Sequence, residues 1–341
     1  MILFRIDFAV STGMGHFVRC LSIALQLGPE KAAFIVERKP AQMIPEAKPF
    51  QFFETLSNNA ADTDAQMTGE FIRSTDAKLL VVDSYQMAPN YYQRLKDSHP
   101  NLALFAVDDF GEKKNLPLDG VLSFGWCTDP SRYASQVLKN SAVGIEYSPI
   151  RNDFLSFRRE QRNYDQVNRM LVTMGGSDPK HWGLKILPFL ERVSNLPPTT
   201  IVTGPLFEKQ KELEEAIAHS PLKPRLNLES RSPQIAKLMS EADLILVASG
   251  TTCTEVAFLG TPMIAFPTVD NQEPIAISIE RLRCGWALPP AHRLEETDFL
   301  RTLNEALQSP KIREEFAINA KNLVDGKGAR RLGAFLSIRS Q

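Results

Sequence analysis

The chain has 341 residues, 43% of them hydrophobic, and its 39 Lys and Arg balance 40 Asp and Glu. This length suits two domains, and the charge balance gives no field that would attract nucleic acid or an anionic membrane. No apolar run approaches the roughly 20 residues of a membrane helix, and charges within MILFRIDFAV favour a first strand over a signal peptide. The four scattered cysteines suit reduced thiols, so we expect a cytoplasmic protein, with a monomer favoured.

Short apolar strands alternate with amphipathic helices through the first half of the chain. The predicted strands are 2–10, 32–36, 49–53, 79–83, 102–108 and 120–124. The predicted helices are 16–27, 62–75 and 88–98. This alternation indicates βαβ units and a parallel sheet covered on both faces.

A charged segment, 151–167, interrupts the alternation and is predicted to connect two domains, 1–150 and 168–325. Beyond it the predicted strands are 169–174, 199–203, 224–228, 243–248 and 262–266. The predicted helices are 181–195, 206–219, 233–241, 252–259 and 272–283, followed by a C-terminal helical tail at 326–341. We therefore predict an α/β protein of two doubly wound, Rossmann-like domains whose ligand loops share a cleft.

One histidine follows a glycine-rich turn at the end of the first predicted strand. In STGMGHFVR, Gly13 and Gly15 permit a tight turn, and His16 begins the first helix. The pattern lacks the third glycine of a dinucleotide fingerprint, because Val18 occupies that position. An NAD site is therefore not expected. Imidazole can serve as a general base near neutral pH, although a structural histidine is the alternative.

Carboxylates lie at or near the ends of three strands of the same predicted sheet. Asp7 shares a strand face with Arg5, Asp83 is followed closely by Tyr85, and Asp108-Asp109 ends a third strand. At this edge they would orient the histidine or hold sugar hydroxyls, while helix capping and a structural ion pair are the alternatives.

A DxD spacing occurs at Asp62-Thr63-Asp64, within a polar stretch that precedes a helix. Capping explains these aspartates, so we predict no metal site and no cofactor.

Polar loops also follow the strands of the second half, and their backbone N–H groups and hydroxyls suit a diphosphate. One loop contains Gly175, Gly176 and Ser177. The next runs from Ser249 and Gly250 through Thr251 and Thr252 to Glu255, a candidate acceptor for ribose hydroxyls. A third contains Asn271 and Gln272.

Together GxGHxxR, GGSDP, SGTTxxE and DNQ resemble a known family over nearly the whole chain. It comprises the hydrolases that cleave UDP from UDP-2,4-diacetamido-2,4,6-trideoxy-β-L-altropyranose in pseudaminic acid synthesis. Spore-coat polysaccharide proteins belong to the wider group, and MurG-type glycosyltransferases are similar in the second half.

The resemblance implies a GT-B fold, with UDP on the second domain and the sugar facing the first. His16 matches the catalytic histidine of the family, framed by Gly13, Gly15 and Arg19. The loop holding UDP matches at Thr251, Thr252 and Glu255, with Asn271 and Gln272 beside it. Tyr147 and Arg151 fall in GxxYxxxR, which resembles the family's segment at the domain junction, and this likeness implies that both bind the substrate on the sugar side.

Three functions fit these residues. The first is hydrolysis, in which His16 activates water at the anomeric carbon of a UDP-sugar without a metal. The second is glycosyl transfer in the same cleft, with an acceptor hydroxyl in place of water. The third is nucleotide-sugar binding without turnover, which the complete glycine–histidine frame disfavours.

Overall fold

The computed structural model describes residues 1–7, 14–37, 45–55, 61–230 and 232–340. These form two compact units, one of Met1–Ile150 with Gly326–Gln341 and one of Arg151–Asp325. Each unit contains one parallel sheet with helices, which confirms the predicted α/β fold class.

The sheet of the first unit has the order β3-β2-β1-β4-β5-β6-β7. Its strands are β1 (Ile2–Ile6), β2 (Ala32–Val36), β3 (Gln51–Glu54), β4 (Leu79–Asp83), β5 (Ala103–Val107), β6 (Gly120–Ser123) and β7 (Ala142–Val143). The order reverses between β1 and β4, and such a switch point is where open α/β sheets bind ligands. The first strand was predicted to reach residue 10, but β1 ends at Ile6 and residues 8–13 lie outside the described part.

The helices of this part are α1 (Gly15–Leu27), α2 (Ala61–Thr75), α3 (Pro89–Ser98) and the short α4 (Ser135–Leu138). Alternation along β1 sends Phe4 into a core shared with α1, and Leu3 into a core with Tyr91 and Tyr92 of α3. A fully buried side chain of this size contributes about 1.5–3 kcal/mol. Burial of both sheet faces therefore fixes α1 on one face of the sheet, with its first turn beside the carboxyl end of β4.

The sheet of the second unit has the order β10-β9-β8-β11-β12-β13. Its strands are β8 (Met170–Thr173), β9 (Thr199–Thr203), β10 (Leu226–Ser230), β11 (Leu244–Ala248), β12 (Met263–Phe266) and β13 (Trp286–Ala287). Its switch point lies between β8 and β11. The strand predicted at 224–228 begins later, because Pro224 lies in a 3-10 turn at Lys223–Arg225.

The helices of the second unit are α5 (Asn152–Leu155), α6 (Trp182–Lys185), α7 (Leu187–Glu191), α8 (Gln210–His219), α9 (Ile235–Glu241), α10 (Thr252–Leu259), α11 (Glu273–Arg281), α12 (Glu296–Gln308) and α13 (Pro310–Leu323). The single helix predicted over 181–195 is two helices. Pro188, in the first turn of α7, has no N–H to continue the ladder from α6.

The last helix, α14 (Gly328–Arg339), belongs to the first unit, where Leu332 and Leu336 enter the core shared with α1. A Cβ on Gly328 would lie 2.1 Å from the carbonyl oxygen of Ser148, so only glycine permits this approach. The segment predicted as a tail is thus an integral layer of the first unit.

Candidate active site

His16, the second residue of α1, lies beside Asp83, the last residue of β4. The two meet because β4 pairs with β1, the strand that precedes α1. His16 Nδ1 lies 2.6 Å from Asp83 Oδ1. A carboxylate only accepts, so we assign the ring proton to Nδ1, which leaves the Nε2 lone pair to accept a proton. The polar contacts that described residues make with His16 are both at Nδ1.

Arg19, one turn along α1 from His16, joins two strand ends through its guanidinium group. It donates to Asp83 from Nε at 2.6 Å and from Nη2 at 2.5 Å. Its Nη1 lies 3.0 and 2.9 Å from the carboxylate oxygens of Asp109, just beyond β5. Such charge-assisted forked contacts fix both carboxylates with little freedom.

These buried groups hold their charges. Burial disfavours the ionised carboxyl of Asp83, but Arg19 and His16 outweigh it and hold the pKa of Asp83 well below its usual range. Burial likewise disfavours the Arg19 cation, while Asp109 and Asp83 raise its pKa. Cys20 donates from Sγ to Asp83 Oδ2 at 3.4 Å, and burial raises the pKa of this thiol. Asp83 is therefore a permanent anion that keeps the Nδ1 proton of His16 in place.

Tyr85 forms the accessible side of this cluster. Its hydroxyl donates to Asp109 Oδ2 at 2.5 Å, and its ring meets His16 edge to face at a centroid distance of 4.7 Å. The residue is 47% exposed. Desolvation of the hydroxyl and the charge of Asp109 raise the pKa of Tyr85, so it remains protonated. The sequence predicted His16, Arg19, Asp83 and Tyr85 as site residues, and the structure brings all four together.

The paired aspartates after β5 have separate roles. Asp108 accepts the N–H groups of Gly111 at 2.9 Å and Lys113 at 2.9 Å, and also the hydroxyl of Tyr133 at 2.9 Å. It therefore shapes the loop, while Asp109 serves the His16 cluster. The sequence alone does not single out Asp109 as a site residue, although its position at a strand end beside Asp108 is a signal for it.

Asp7 follows β1 and donates from its N–H to the carbonyl oxygen of Asp83 at 3.2 Å. Its carboxylate lies 3.7 Å from Arg5, as strand alternation predicts, and its buried Oδ2 has no hydrogen bond partner among described residues. Arg5 is held by Asp64, with Nη2 2.5 Å from Oδ2. The predicted capping role of Asp64 is therefore wrong, because this aspartate lies inside α2 and neutralises a buried arginine.

Three further sequence candidates lie around the first unit. Gly13 is outside the described residues, and Gly15 is the first residue of α1. Tyr147 lies in a 3-10 turn, Ile145–Tyr147, and packs against the core shared with α1 and α14. No hydrogen bond joins Tyr147 to His16 in the described part of the chain.

In the second unit, the loop after β8 carries Gly175, Gly176 and Ser177, all half-buried. Gly175 has φ +81°, a left-handed conformation that favours glycine. A Cβ on Gly204, after β9, would lie 2.4 Å from the Gly175 carbonyl oxygen and 2.3 Å from that of Gly176. Close backbone packing therefore supports this loop. Asp178 completes it by accepting the N–H of Gly183 at 2.6 Å.

The loop after β11 presents fewer donors than the sequence suggested. The Ser249 N–H donates to the carbonyl oxygen of Phe266 at 2.9 Å, and the Gly250 N–H donates to that of Ala248 at 2.7 Å. Ser249 is also fully buried, at 0% exposure. The N–H groups of Thr251 and Thr252 donate to no acceptor within the described ranges. In this loop, the N–H groups that remain available for an anion are therefore those at the beginning of α10, on Thr251 and Thr252.

Gln272 lies beside the same loop. Its Oε1 accepts from the N–H and hydroxyl of Thr268 at 2.9 and 3.1 Å. This directs Nε2 toward Gly250, where it would lie 3.8 Å from an added Cβ. Asn271, the neighbouring candidate, is exposed.

Glu255 on α10 is paired with a residue predicted to serve the sugar side. Arg151, the first residue of the second unit, donates from Nε to Glu255 Oε1 at 2.6 Å. Burial raises the pKa of Glu255, and Arg151 opposes that shift. The structure therefore places Arg151 beside Glu255, a residue predicted from the sequence to hold UDP.

Within the described residues, no cluster of His, Cys, Asp and Glu has the arrangement of a metal site. Among the helices of the same part, none is long and apolar enough to cross a membrane.

No protein-family model matches the chain. Over 277 residues it is 25% identical to the UDP-2,4-diacetamido-2,4,6-trideoxy-beta-L-altropyranose hydrolase of Campylobacter jejuni, covering 81% of this chain and 94% of that protein. It is 24% identical to an uncharacterised Methanocaldococcus jannaschii protein (76% of this chain, 54% of that protein). Identity is also 24% to the spore coat polysaccharide biosynthesis protein SpsG of Bacillus subtilis, over 57% of each chain. The chain thus spans about half the length of two of these relatives.

Among solved structures, MurG of Acinetobacter baumannii superimposes with a TM-score of 0.69 and 15% identity, over 99% of both chains. At this identity the likeness establishes the fold. The chain therefore has the GT-B fold, and its similarity to the Campylobacter hydrolase and to SpsG confirms the resemblance found in its motifs.

Proposed function

We propose that this protein hydrolyses a UDP-activated 2,4-diacetamido-trideoxyhexose and releases UDP, as a step in nonulosonic (pseudaminic) acid biosynthesis. The observation that carries the proposal is the His16–Asp83 pair, with Nδ1 2.6 Å from the carboxylate and Nε2 left to act as a base. The name of the Campylobacter relative supplies the sugar.

In the proposed reaction, His16 Nε2 takes a proton from water as the water oxygen bonds to the anomeric carbon. The bond from that carbon to the diphosphate oxygen breaks, and UDP leaves with the electron pair. Asp83 stabilises the imidazolium that forms, and Arg19 holds Asp83 in place. No metal is required by this scheme.

The second unit supplies the groups that suit the leaving UDP. The N–H groups of Thr251 and Thr252 begin α10, where the helix dipole favours an anion. The glycine loop at Gly175 and Gly176 offers backbone at close range, and Glu255 suits ribose hydroxyls. Donors fixed in advance stabilise charge that develops on a leaving group.

On the sugar side, we propose contacts from two of the sequence candidates. Oδ2 of Asp7, which has no hydrogen bond partner among the residues that the structure describes, suits an amide N–H or hydroxyl, and the partly exposed Tyr85 borders His16. The cytoplasmic location and the monomeric state stay predictions.

Glycosyl transfer is the second candidate, favoured by the MurG-like fold. His16 would then take its proton from an acceptor hydroxyl. Binding without turnover is the third, and a histidine oriented by a buried carboxylate is not needed for binding.

The test is release of free UDP from a panel of UDP-sugars, including the diacetamido-trideoxy-altropyranose, with EDTA and without acceptor. Release that survives EDTA and is lost in His16→Ala supports the hydrolase. Near-full turnover by His16→Ala refutes the mechanism. Tight binding without release favours the transferase, which an acceptor screen would then identify.

A further inference from the structure

Arg151 and Glu255 form a partly buried ion pair at α10, the helix that suits the nucleotide. Arg151 Nε lies 2.6 Å from Glu255 Oε1, and the Glu255 side chain is only 13% exposed. The guanidinium group of Arg151 also stacks 4.6 Å from the ring centroid of Phe154, which fixes its orientation. The pair therefore has a defined geometry and is partly shielded from water.

The carboxylate has one engaged oxygen and one that is available. Oε2 of Glu255 accepts no hydrogen bond from the residues that the structure describes. Glu255 lies three and four residues after Thr252 and Thr251, so all three share one face of α10. Along the helix axis, about one turn, a rise of roughly 5.4 Å, separates the backbone of Thr251 from that of Glu255. A nucleoside diphosphate bound at the N–H groups would bring its ribose to Oε2.

We infer that Arg151 is a positioning residue that holds Glu255 as an oriented anion, so that Oε2 selects nucleotides by their ribose hydroxyls. This inference rests on the proposed UDP site. It assigns Arg151 a role through Glu255, and not a contact with the sugar.

The ionised state of Glu255 depends on the same pair. Burial raises the pKa of Glu255, Arg151 lowers it, and Asp153 at the start of α5 raises it. Without Arg151 both remaining influences raise the pKa. The carboxyl of an Arg151 variant should therefore take up a proton as pH falls toward acidic values, and its acceptor strength should fall with it.

The experiment measures dissociation constants by calorimetry for UDP and for 2′,3′-dideoxyuridine 5′-diphosphate, at pH 8 and pH 5.5. The proteins are wild type, Arg151→Met, Arg151→Lys and Glu255→Gln. Arg192→Met is the matched control, because Arg192 also pairs with a glutamate in this unit, at 3.9 Å, but is exposed. The ratio of the two constants cancels titration of the phosphates.

Wild type and Arg192→Met should prefer UDP by about 10- to 100-fold at both pH values, the range for hydrogen bonds to a charged group. Arg151→Met should lose most of this preference, more at pH 5.5 than at pH 8. Arg151→Lys should retain its pH independence, since the cation remains, and Glu255→Gln should show a low preference at both pH values.

A wild-type preference that Arg151→Met retains at both pH values would refute the positioning role alone. Equal weakening of both ligands by Arg151→Met would do the same, because it indicates general disruption. Failure of wild type to bind UDP would overturn the proposed function and this inference with it.

Discussion

Replacing Asp83 by Asn tests the centre of the site with a change of nearly equal volume. Asp83 is 1% exposed and accepts from His16 and Arg19 through both oxygens. An amide has one acceptor. If the NH₂ group of Asn takes the place of Oδ1, it faces His16 Nδ1 as a donor. The ring proton then moves to Nε2, and the imidazole can no longer act as a base through that atom. If the NH₂ group takes the place of Oδ2, it opposes the Nε donor of Arg19. In both cases the anion that stabilises the imidazolium is lost.

The two expected effects have different sizes. Removing one partner of a buried ion pair costs about 3–5 kcal/mol of unfolding free energy. In this variant Arg19 still pairs with Asp109, so we expect a loss of unfolding free energy at the lower end of this range, about 3 kcal/mol. Loss of general base function lowers kcat by about 10²- to 10⁴-fold. KM should change little, because the missing charge acts when His16 takes up the proton.

The assay is UDP release by Asp83→Asn beside Asp119→Asn, with urea unfolding of both. Asp119 is a suitable control because it also forms an ion pair, with Lys96 at 2.6 Å. It directly precedes β6 and so lies at the amino-terminal ends of the strands, whereas Asp83 lies at a carboxyl end. Asp119→Asn should lose stability without losing turnover. If Asp83→Asn lost stability but kept kcat within about threefold of wild type, Asp83 would be structural and the base assignment refuted.

Three further results are expected. Tyr85→Phe removes one donor to Asp109 and should lower kcat/KM about 10-fold while costing about 1 kcal/mol or less in stability; unchanged kinetics would leave Tyr85 outside the reaction. Gly204→Ala should cost about 1–3 kcal/mol of unfolding free energy and weaken UDP binding, because its Cβ meets backbone oxygens at 2.3 and 2.4 Å. Gly250→Ala should keep the wild-type melting temperature, because its Cβ would lie 3.8 Å from Gln272 Nε2. The pKa of Asp83 is depressed in the folded protein, so its ionised carboxyl stabilises the fold fully above the unfolded pKa of about 3.9, and this stabilisation is lost progressively as the pH falls below that value. On acidification, the melting temperature of Asp83→Asn should therefore fall less steeply than that of wild type.

Strand and helix periods predicted the fold class and the strand ends at which His16 and Asp83 lie. Periodicity works here because both sheets are parallel and covered on both faces, so their strands are apolar and separated by amphipathic helices. It failed for β7 and β13, which have only two residues each. A strand of two residues is too short to show an apolar pattern, and it forms because it pairs with a neighbouring strand.

The partners of side chains were harder to predict. Asp108 and Asp109 are adjacent and identical in type, yet one shapes a loop and the other binds Arg19. Local rules favoured capping for both, because the competing partner is 90 residues away. Arg151 was assigned to the substrate through the resemblance of GxxYxxxR to a family segment, whereas its partner Glu255 is 104 residues further on.

The placement of α14 has a consequence for the order in which the molecule is made. Its leucines fill the core beneath α1, the helix that carries His16 and Arg19. During synthesis the whole of residues 151–325 must emerge before this layer is available. Although domains generally fold in order from the N-terminus, the first unit is therefore completed after the second has been translated. The core that supports His16 and Arg19 is therefore complete only after residues 328–339 have been made.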